Sequence, residues 1–280
     1  MKQKIWFVTG ASKGFGFEIV KAVLASGDKV VATVRGNAAQ LEAALGNVPE
    51  LLVVNMDVVN EQEVRQAVNK AITRFGRLDV VVNNAGFGIV AAIEEATDEE
   101  TRKQYDTNVF GLLNVVRAVL PHLRKQGSGH IINFSSLFGY GAIQGFALYG
   151  STKFAVEGIS EGLALELAPF NIKVTSLAPG LFRTQFLSAG SHVYATNSIA
   201  DYESTVVGQM KSLPASLHGN QSGDPAKLAK VVVELAGVDN PPVHLPVGKD
   251  SLETYRSSRA KTNEEVEAWV GKFSSTEVDG

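Results

Sequence analysis

Seven short apolar runs recur along the chain, separated by segments of helix length. They are IWFVT (5–9), KVVATV (29–34), LLVVNM (51–56), LDVVVNN (78–84), HIINFS (130–135), IKVTSL (172–177) and PVHLPV (242–247). The runs are apolar almost throughout rather than alternating. Strands of that kind bury both faces, as in a parallel sheet covered on both sides. The segments between them, such as FGFEIVKAVLAS and EQEVRQAVNKAITRF, carry apolar residues at helical spacing. TDEE at 97–100 reads as a capping box that opens a long helix toward residue 125. Strand alternating with helix predicts an α/β chain, a single-domain doubly wound parallel sheet with helices on both faces. Its crossovers are right-handed, and ligands bind at the carboxyl ends of its strands.

The rhythm breaks between Leu181 and Gly223, where aromatics are scattered among small and polar residues. A long irregular stretch in a compact domain is a functional lid or a disordered segment. The expectation is a domain over 1–250 with a substrate lid at 181–223, and a helical extension of the same domain over 251–280. The 280 residues are 45% hydrophobic, enough for the core of one large domain. A net charge of −3 gives no sign of a nucleic-acid partner. With no cysteine, disulfides, thiolate metal sites and cysteine nucleophiles are excluded, and no metal site is expected. The opening MKQKIWFVTGASKGFG has too short an apolar run for a signal peptide and reads as a first strand. No run is long enough to span a bilayer, so the expectation is a soluble, cytoplasmic protein without a membrane span.

VTGASKGFG follows the first strand and opens a helix. Gly10, Gly14 and Gly16 have the spacing GxxxGxG, with Ser12, Lys13 and Phe15 between them. A tight turn leading into a helix N-terminus presents backbone N–H groups to a diphosphate. Arg35 stands at the end of the second strand, where a carboxylate would bind the ribose 2′-hydroxyl of NAD. Lys13 and Arg35 together suit the 2′-phosphate of NADP(H); the alternative is a pair of solvated surface charges. Asp57 follows the third strand, and either contacts an adenine amino group or caps the next helix. Asn84, Ala85 and Gly86 follow the fourth strand, small enough for the chain to pass close to a cofactor or to make a plain turn. Ser135 and Ser136 end the fifth strand, and Tyr149 and Lys153 stand at i and i+4, on one face of a helix.

Taken in order, TGxxxGxG, NNAG, the strand-end serine, YxxxK and Pro179–Gly180 make residues 4–190 resemble the short-chain dehydrogenase/reductase family, in its single-domain branch. The resemblance implies a Rossmann-type sheet of order 3-2-1-4-5-6-7 and binding of NAD(H) or NADP(H). It places the family's catalytic residues on Asn108 in YDTNVFG, Ser136, Tyr149 and Lys153. It adds Val58, Pro179, Gly180, Phe182 and Thr184 to the cofactor contacts named above, with Tyr149 and Lys153. Tyr140 is a poor rival to Tyr149, because Gln144 stands where the lysine is required. Phe15 and Phe17 are bulkier than the family's usual loop residues.

A free phenol has a pKa of about 10, and a nearby Lys⁺ is expected to favour its phenolate. By resemblance, Tyr149 exchanges a proton with the substrate oxygen and Ser136 holds that oxygen. Lys153 binds the nicotinamide ribose, and Asn108 holds a water that links Lys153 to solvent. The implied activity is NADP(H)-dependent interconversion of a ketone or aldehyde with its alcohol. Phe138, Ile143 and Phe186, with Ser136 and Tyr149, predict a hydrophobic small-molecule substrate. A homodimer or homotetramer through the helices near 98–125 and 149–169 is also implied. The rival functions are a cofactor-binding redox sensor without turnover and an NAD-dependent alcohol or steroid dehydrogenase.

Overall fold

The seven apolar runs become the seven strands of one parallel sheet. In this computed structural model, which describes residues 3–187, 192–217, 219–273 and 278, they are β1 (Ile5–Val8), β2 (Lys29–Val34), β3 (Leu51–Asn55), β4 (Val80–Asn83), β6 (Gly129–Phe134), β7 (Ile172–Pro179) and β9 (His244–Val247). The sheet order is β3-β2-β1-β4-β6-β7-β9, which is the expected 3-2-1-4-5-6-7 when these strands alone are counted. The remaining two strands, β5 (Gly88–Val90) and β8 (His192–Tyr194), form a separate parallel pair. The lid expected over 181–223 thus supplies a strand of its own, while its residues 188–191 and 218 lie outside the described residues.

The helices are α1 (Gly14–Ala25), α2 (Ala38–Leu45), α3 (Glu61–Phe75), α4 (Asp98–Tyr105), α5 (Gly111–Gln126), α6 (Ala147–Leu167), α7 (Val206–Leu217), α8 (Pro225–Leu235), α9 (Lys249–Glu267) and α10 (Val270–Phe273). They split the core into two layers because successive strand residues point to opposite faces. Phe7, Val31, Val81 and Ile131 face α3, α5 and α6, joined by Val64, Val115 and Val156. Trp6, Val30, Val82 and Ile132 face α1 and α8, joined by Ile19 and Val232. Each such side chain, fully withdrawn from water, contributes about 1.5–3 kcal/mol before chain entropy is charged against it.

Local signals set the element ends. Asn60 caps α3 by accepting from the N–H groups of Gln62 and Glu63 at 3.1 and 3.2 Å. The cap is therefore Asn60 and not Asp57. Thr97 and Glu100 form the expected capping box of α4. The single helix expected from 98 to 125 is instead α4 and α5 joined by a π-helical turn, Asp106–Phe110. The extra residue of that turn rotates Thr107, Asn108 and Val109 all into the interior. Gly111 then lies where a Cβ would come within 2.7 Å of Val58. Among the described residues no helix is long and apolar enough to cross a membrane, and no group of three or more His, Asp or Glu side chains is placed to hold a metal.

Candidate active site

A cavity of about 750 Å³ opens at the carboxyl ends of β1, β2, β4, β6 and β7. At one end lies the glycine loop. Gly10 (φ +66°) and Gly14 (φ +58°) take left-handed conformations open mainly to glycine. A Cβ on Gly10 would stand 3.0 Å from the Ala85 backbone. Gly16 does not line the cavity; it lies beneath the loop, where a Cβ would come within 2.4 Å of the Gly10 carbonyl oxygen. Lys13 is the N-cap residue of α1, yet its side chain caps nothing. The first-turn N–H groups of α1 are thus left without a side-chain acceptor beside the cavity wall, as an anion site requires. Ser12, Lys13, Phe15, Arg35, Asp57 and Val58 line this end. Lys13 and Arg35 are exposed, and neither is held in an ion pair among the described residues. Phe15 packs against Phe134 at 5.6 Å and Phe182 at 5.4 Å between ring centroids, which accounts for a bulky residue in the loop.

Thr9 joins the two strand ends under the cavity. Its hydroxyl oxygen accepts from the N–H groups of Asn84 and Ala85, both at 3.0 Å. The Asn84 amide donates back to the carbonyls of Thr9 and Gly10 at 2.9 and 3.1 Å. Asn84 therefore shapes the loop and, with Ala85 and Gly86, lines the cavity. A Cβ on Gly86 would meet Asn108 Oδ1 at 3.1 Å and Lys153 Nζ at 3.9 Å, so the glycine keeps a gap open before the lysine. Pro179, Gly180, Phe182 and Thr184 complete this side.

At the other end Tyr149, Ser136 and Lys153 come together, all buried. Ser136 follows β6, and α6 carries Tyr149 and Lys153 one turn apart. The Ser136 hydroxyl lies close enough to the Tyr149 hydroxyl to favour its ionised form. Lys153 Nζ donates to the Phe134 carbonyl at 2.8 Å and lies 5.6 Å from the centre of the Tyr149 ring. Burial pushes the Tyr149 hydroxyl well above the ordinary phenol value, and the Ser136 hydroxyl offsets only part of that rise. The lysine's own charge therefore does not set the direction at Tyr149; burial does. Burial pulls the Lys153 ammonium down to about 8, opposed by the charge of Glu157.

Asn108 lies behind this group and does not line the cavity. Its Oδ1 accepts from Phe87 N–H at 3.0 Å, and its Nδ2 donates to the Phe87 carbonyl and to Thr152 Oγ1 at 2.9 and 3.0 Å. These bonds tie the chain after β4 to α6. The walls beside Tyr149 are aromatic. Phe138 meets Phe146 at 4.7 Å and Tyr149 at 5.5 Å, and Phe186, beyond β7, meets Tyr149 at 5.6 Å. Ile143 joins this cluster, with Met210 of α7. Sequence reasoning missed Met56, Lys103, Thr107, Phe134, Val193, Met210 and Gln221 as lining residues. Val193 and Met210 sit in the irregular stretch, where no periodicity marks a facing side. Thr107 faces inward through the π turn.

Comparison with known proteins agrees with this geometry. A family model described as short chain dehydrogenase matches residues 4–193. The chain is 41% identical to oxidoreductase BOA17 of Botryotinia fuckeliana, over 89% of this chain and 90% of that one. It is 39% identical to a 3-ketodihydrosphingosine reductase of Bacteroides thetaiotaomicron, over 89% of each. A crystal structure of a short-chain dehydrogenase from Streptomyces avermitilis superposes with a TM-score of 0.90 at 36% identity, covering 99% of this chain and 100% of that one. The chain belongs to the short-chain dehydrogenase family and is an oxidoreductase.

Proposed function

We propose that this chain reduces a hydrophobic ketone or aldehyde to its alcohol with NADPH, Tyr149 giving the proton. The observation that carries the reading is that Tyr149, Ser136 and Lys153 are buried together in one cavity wall among aromatic side chains. A bound nicotinamide cofactor supplies the hydride. The residues present fit such a group: a glycine-lined cradle, an uncapped helix N-terminus, and the gap that Gly86 leaves before Lys153. The α1 N-terminus takes the diphosphate, Asp57 the adenine amino group, and Lys13 and Arg35 the 2′-phosphate. Lys153 takes the ribose hydroxyls. Ser136 donates to the substrate oxygen and aligns it, and the Tyr149 O–H bond breaks as the new O–H bond of the alcohol forms.

The aromatic walls favour a bulky apolar substrate, and the relative named 3-ketodihydrosphingosine reductase supports a ketone. Residues 181–223 act as the substrate lid, and 251–280 extend the same domain. Exposed Phe154 and Leu165 on α6 support a homodimer. The test is NADPH consumption across a panel of carbonyls from small aliphatic to aryl and long-chain. Turnover should favour bulky apolar ketones and NADPH over NADH. No turnover with any carbonyl while NADPH still binds would refute the reading.

A further inference from the structure

Tyr149 and Lys153 are the first two members of a longer stripe. Glu157 and Glu161 continue it at the same four-residue spacing on α6. Glu157 is 7% exposed. Its Oε1 accepts from the Ser176 hydroxyl of β7 at 2.7 Å. Its Oε2 lies 2.6 Å from His244 Nδ1 of β9. An ionised carboxylate only accepts, so the Nδ1 nitrogen carries the proton of that bond. The other ring nitrogen, Nε2, stands 3.7 Å from Glu161 Oε2, which is exposed. Two strands therefore fix one carboxylate in the interior, one helical turn beyond a buried lysine.

A buried ammonium is costly unless an opposite charge accompanies it. Among the described residues, those in contact with Lys153 are neutral: the Phe134 carbonyl, the Ser135 hydroxyl at 3.4 Å from the lysine's own carbonyl, Tyr149, and Asn108 across the gap at Gly86. Glu157, one helical turn further along the same face of α6 and almost fully buried, brings a negative charge to this interior. Around Glu157 stand Ser176, His244 and Tyr140, whose buried hydroxyl has no hydrogen-bond partner among the described residues. Beyond Tyr140 lie Tyr255 and Arg259 of α9, the two rings 5.0 Å apart and the guanidinium over Tyr255. Gly139 keeps this space closed, since a Cβ there would strike Ser135 Oγ at 2.5 Å and Glu157 Cγ at 3.2 Å.

We propose that Glu157 is a positioning residue for the reaction, its fixed carboxylate keeping Lys153 charged inside the site. The link to catalysis rests on the function proposed above; the effect on Lys153 does not. Burial lowers the Lys153 midpoint and the Glu157 charge raises it. Losing the carboxylate lowers it, and the charged fraction is lost as pH rises through the new, lower value.

The test is an NMR titration of protein labelled at lysine Cε, with the Lys153 signal identified by its absence in Lys153→Arg. Glu157→Gln should lower the midpoint by about one pH unit, a tenfold change in its dissociation constant at the charge separations of one helical turn. Glu157→Asp should recover more than half of that shift. Ser176→Ala, which keeps the charge and removes one anchor, should move it by less than a third as much. If Glu157→Gln does not fold, Glu157→Met serves in its place and must show the same downward shift. An unchanged midpoint in a folded Glu157 variant, or an equal shift in Ser176→Ala, overturns the proposal. The titration uses no substrate. Failure of carbonyl turnover would refute the proposed function alone, and an unchanged midpoint would refute the Glu157 role alone.

Discussion

Tyr149 is where the sequence and the folded chain differ most at the scale of single residues. The i, i+4 spacing with Lys153 was legible, as was the pairing with Ser136. The direction of the electrostatics was not, because spacing carries no measure of depth. Once Tyr149 is buried, desolvation dominates, and the lysine donates to the Phe134 carbonyl. Asn108 was found by its motif, and its amide hydrogens go to Phe87 and Thr152. Arg35 makes a prediction of its own. If it meets the 2′-phosphate, Arg35→Asp removes one charge-assisted contact and adds a repulsion. NADPH binding should weaken at least tenfold while NADH binding changes less than threefold, read by fluorescence titration. Equal losses for both nucleotides would remove Arg35 from that role.

At the scale of elements, fully apolar strands announced themselves, and the β5–β8 pair did not. Each of its strands is three residues long, too short for a pattern, and β8 lies in an irregular stretch. The stretch proposed as a lid is nevertheless tied down by side chains. Glu95, fully buried, accepts from Ala92 N–H at 2.9 Å, Ile199 N–H at 3.0 Å and Lys211 Nζ of α7. Glu100 accepts from Thr196 N–H at 2.9 Å, and Glu94 from the Tyr202 hydroxyl at 2.6 Å. Burial pushes Glu95 up, but the Lys211 and backbone hydrogen bonds outweigh it and leave the carboxyl below its ordinary value. The lid contact is therefore present above the ordinary carboxylate pKa and lost as pH falls through the lower folded value. Glu95→Gln weakens the tie to Lys211 while leaving the glycine loop intact. It should raise KM for the ketone about tenfold, roughly 1.4 kcal/mol, with NADPH affinity within twofold of wild type. A change in NADPH affinity as large as that in KM would contradict a lid role.

For the whole molecule, the doubly wound sheet followed from the order of strands and helices, and its two-layer core followed from side-chain alternation. A buried histidine at its centre did not stand out. His130 on β6 is 4% exposed, and its Nε2 lies 3.0 Å from Thr175 Oγ1. Thr175 donates its own proton to the Pro242 carbonyl, so Nε2 is the donor of the pair. Nδ1 has no partner among the described residues. Burial, with Lys173 and Lys4 adding to it, pulls the His130 pKa down to about 3. The unfolded chain takes up a proton near 6.5 and the folded chain does not, so stability falls as pH drops from 6.5 toward 3. Relative to His130→Leu, the wild-type chain should lose about 2 kcal/mol between pH 7 and 5, measured by urea unfolding. Parallel pH dependence in the two proteins would show that His130 is not buried as described.

The central claim is that the Tyr149 hydroxyl is the proton donor. The most direct measurement is NADPH oxidation by Tyr149→Phe with the best ketone of the panel, alongside NADPH binding by fluorescence. The phenyl ring keeps the aromatic contacts to Phe138 and Phe186 and removes only the hydroxyl. The expected result is a loss of at least about a hundredfold in kcat, the usual scale of general acid catalysis, with NADPH affinity within a few-fold of wild type. Turnover near the wild-type rate would contradict it and require another proton donor in the cavity.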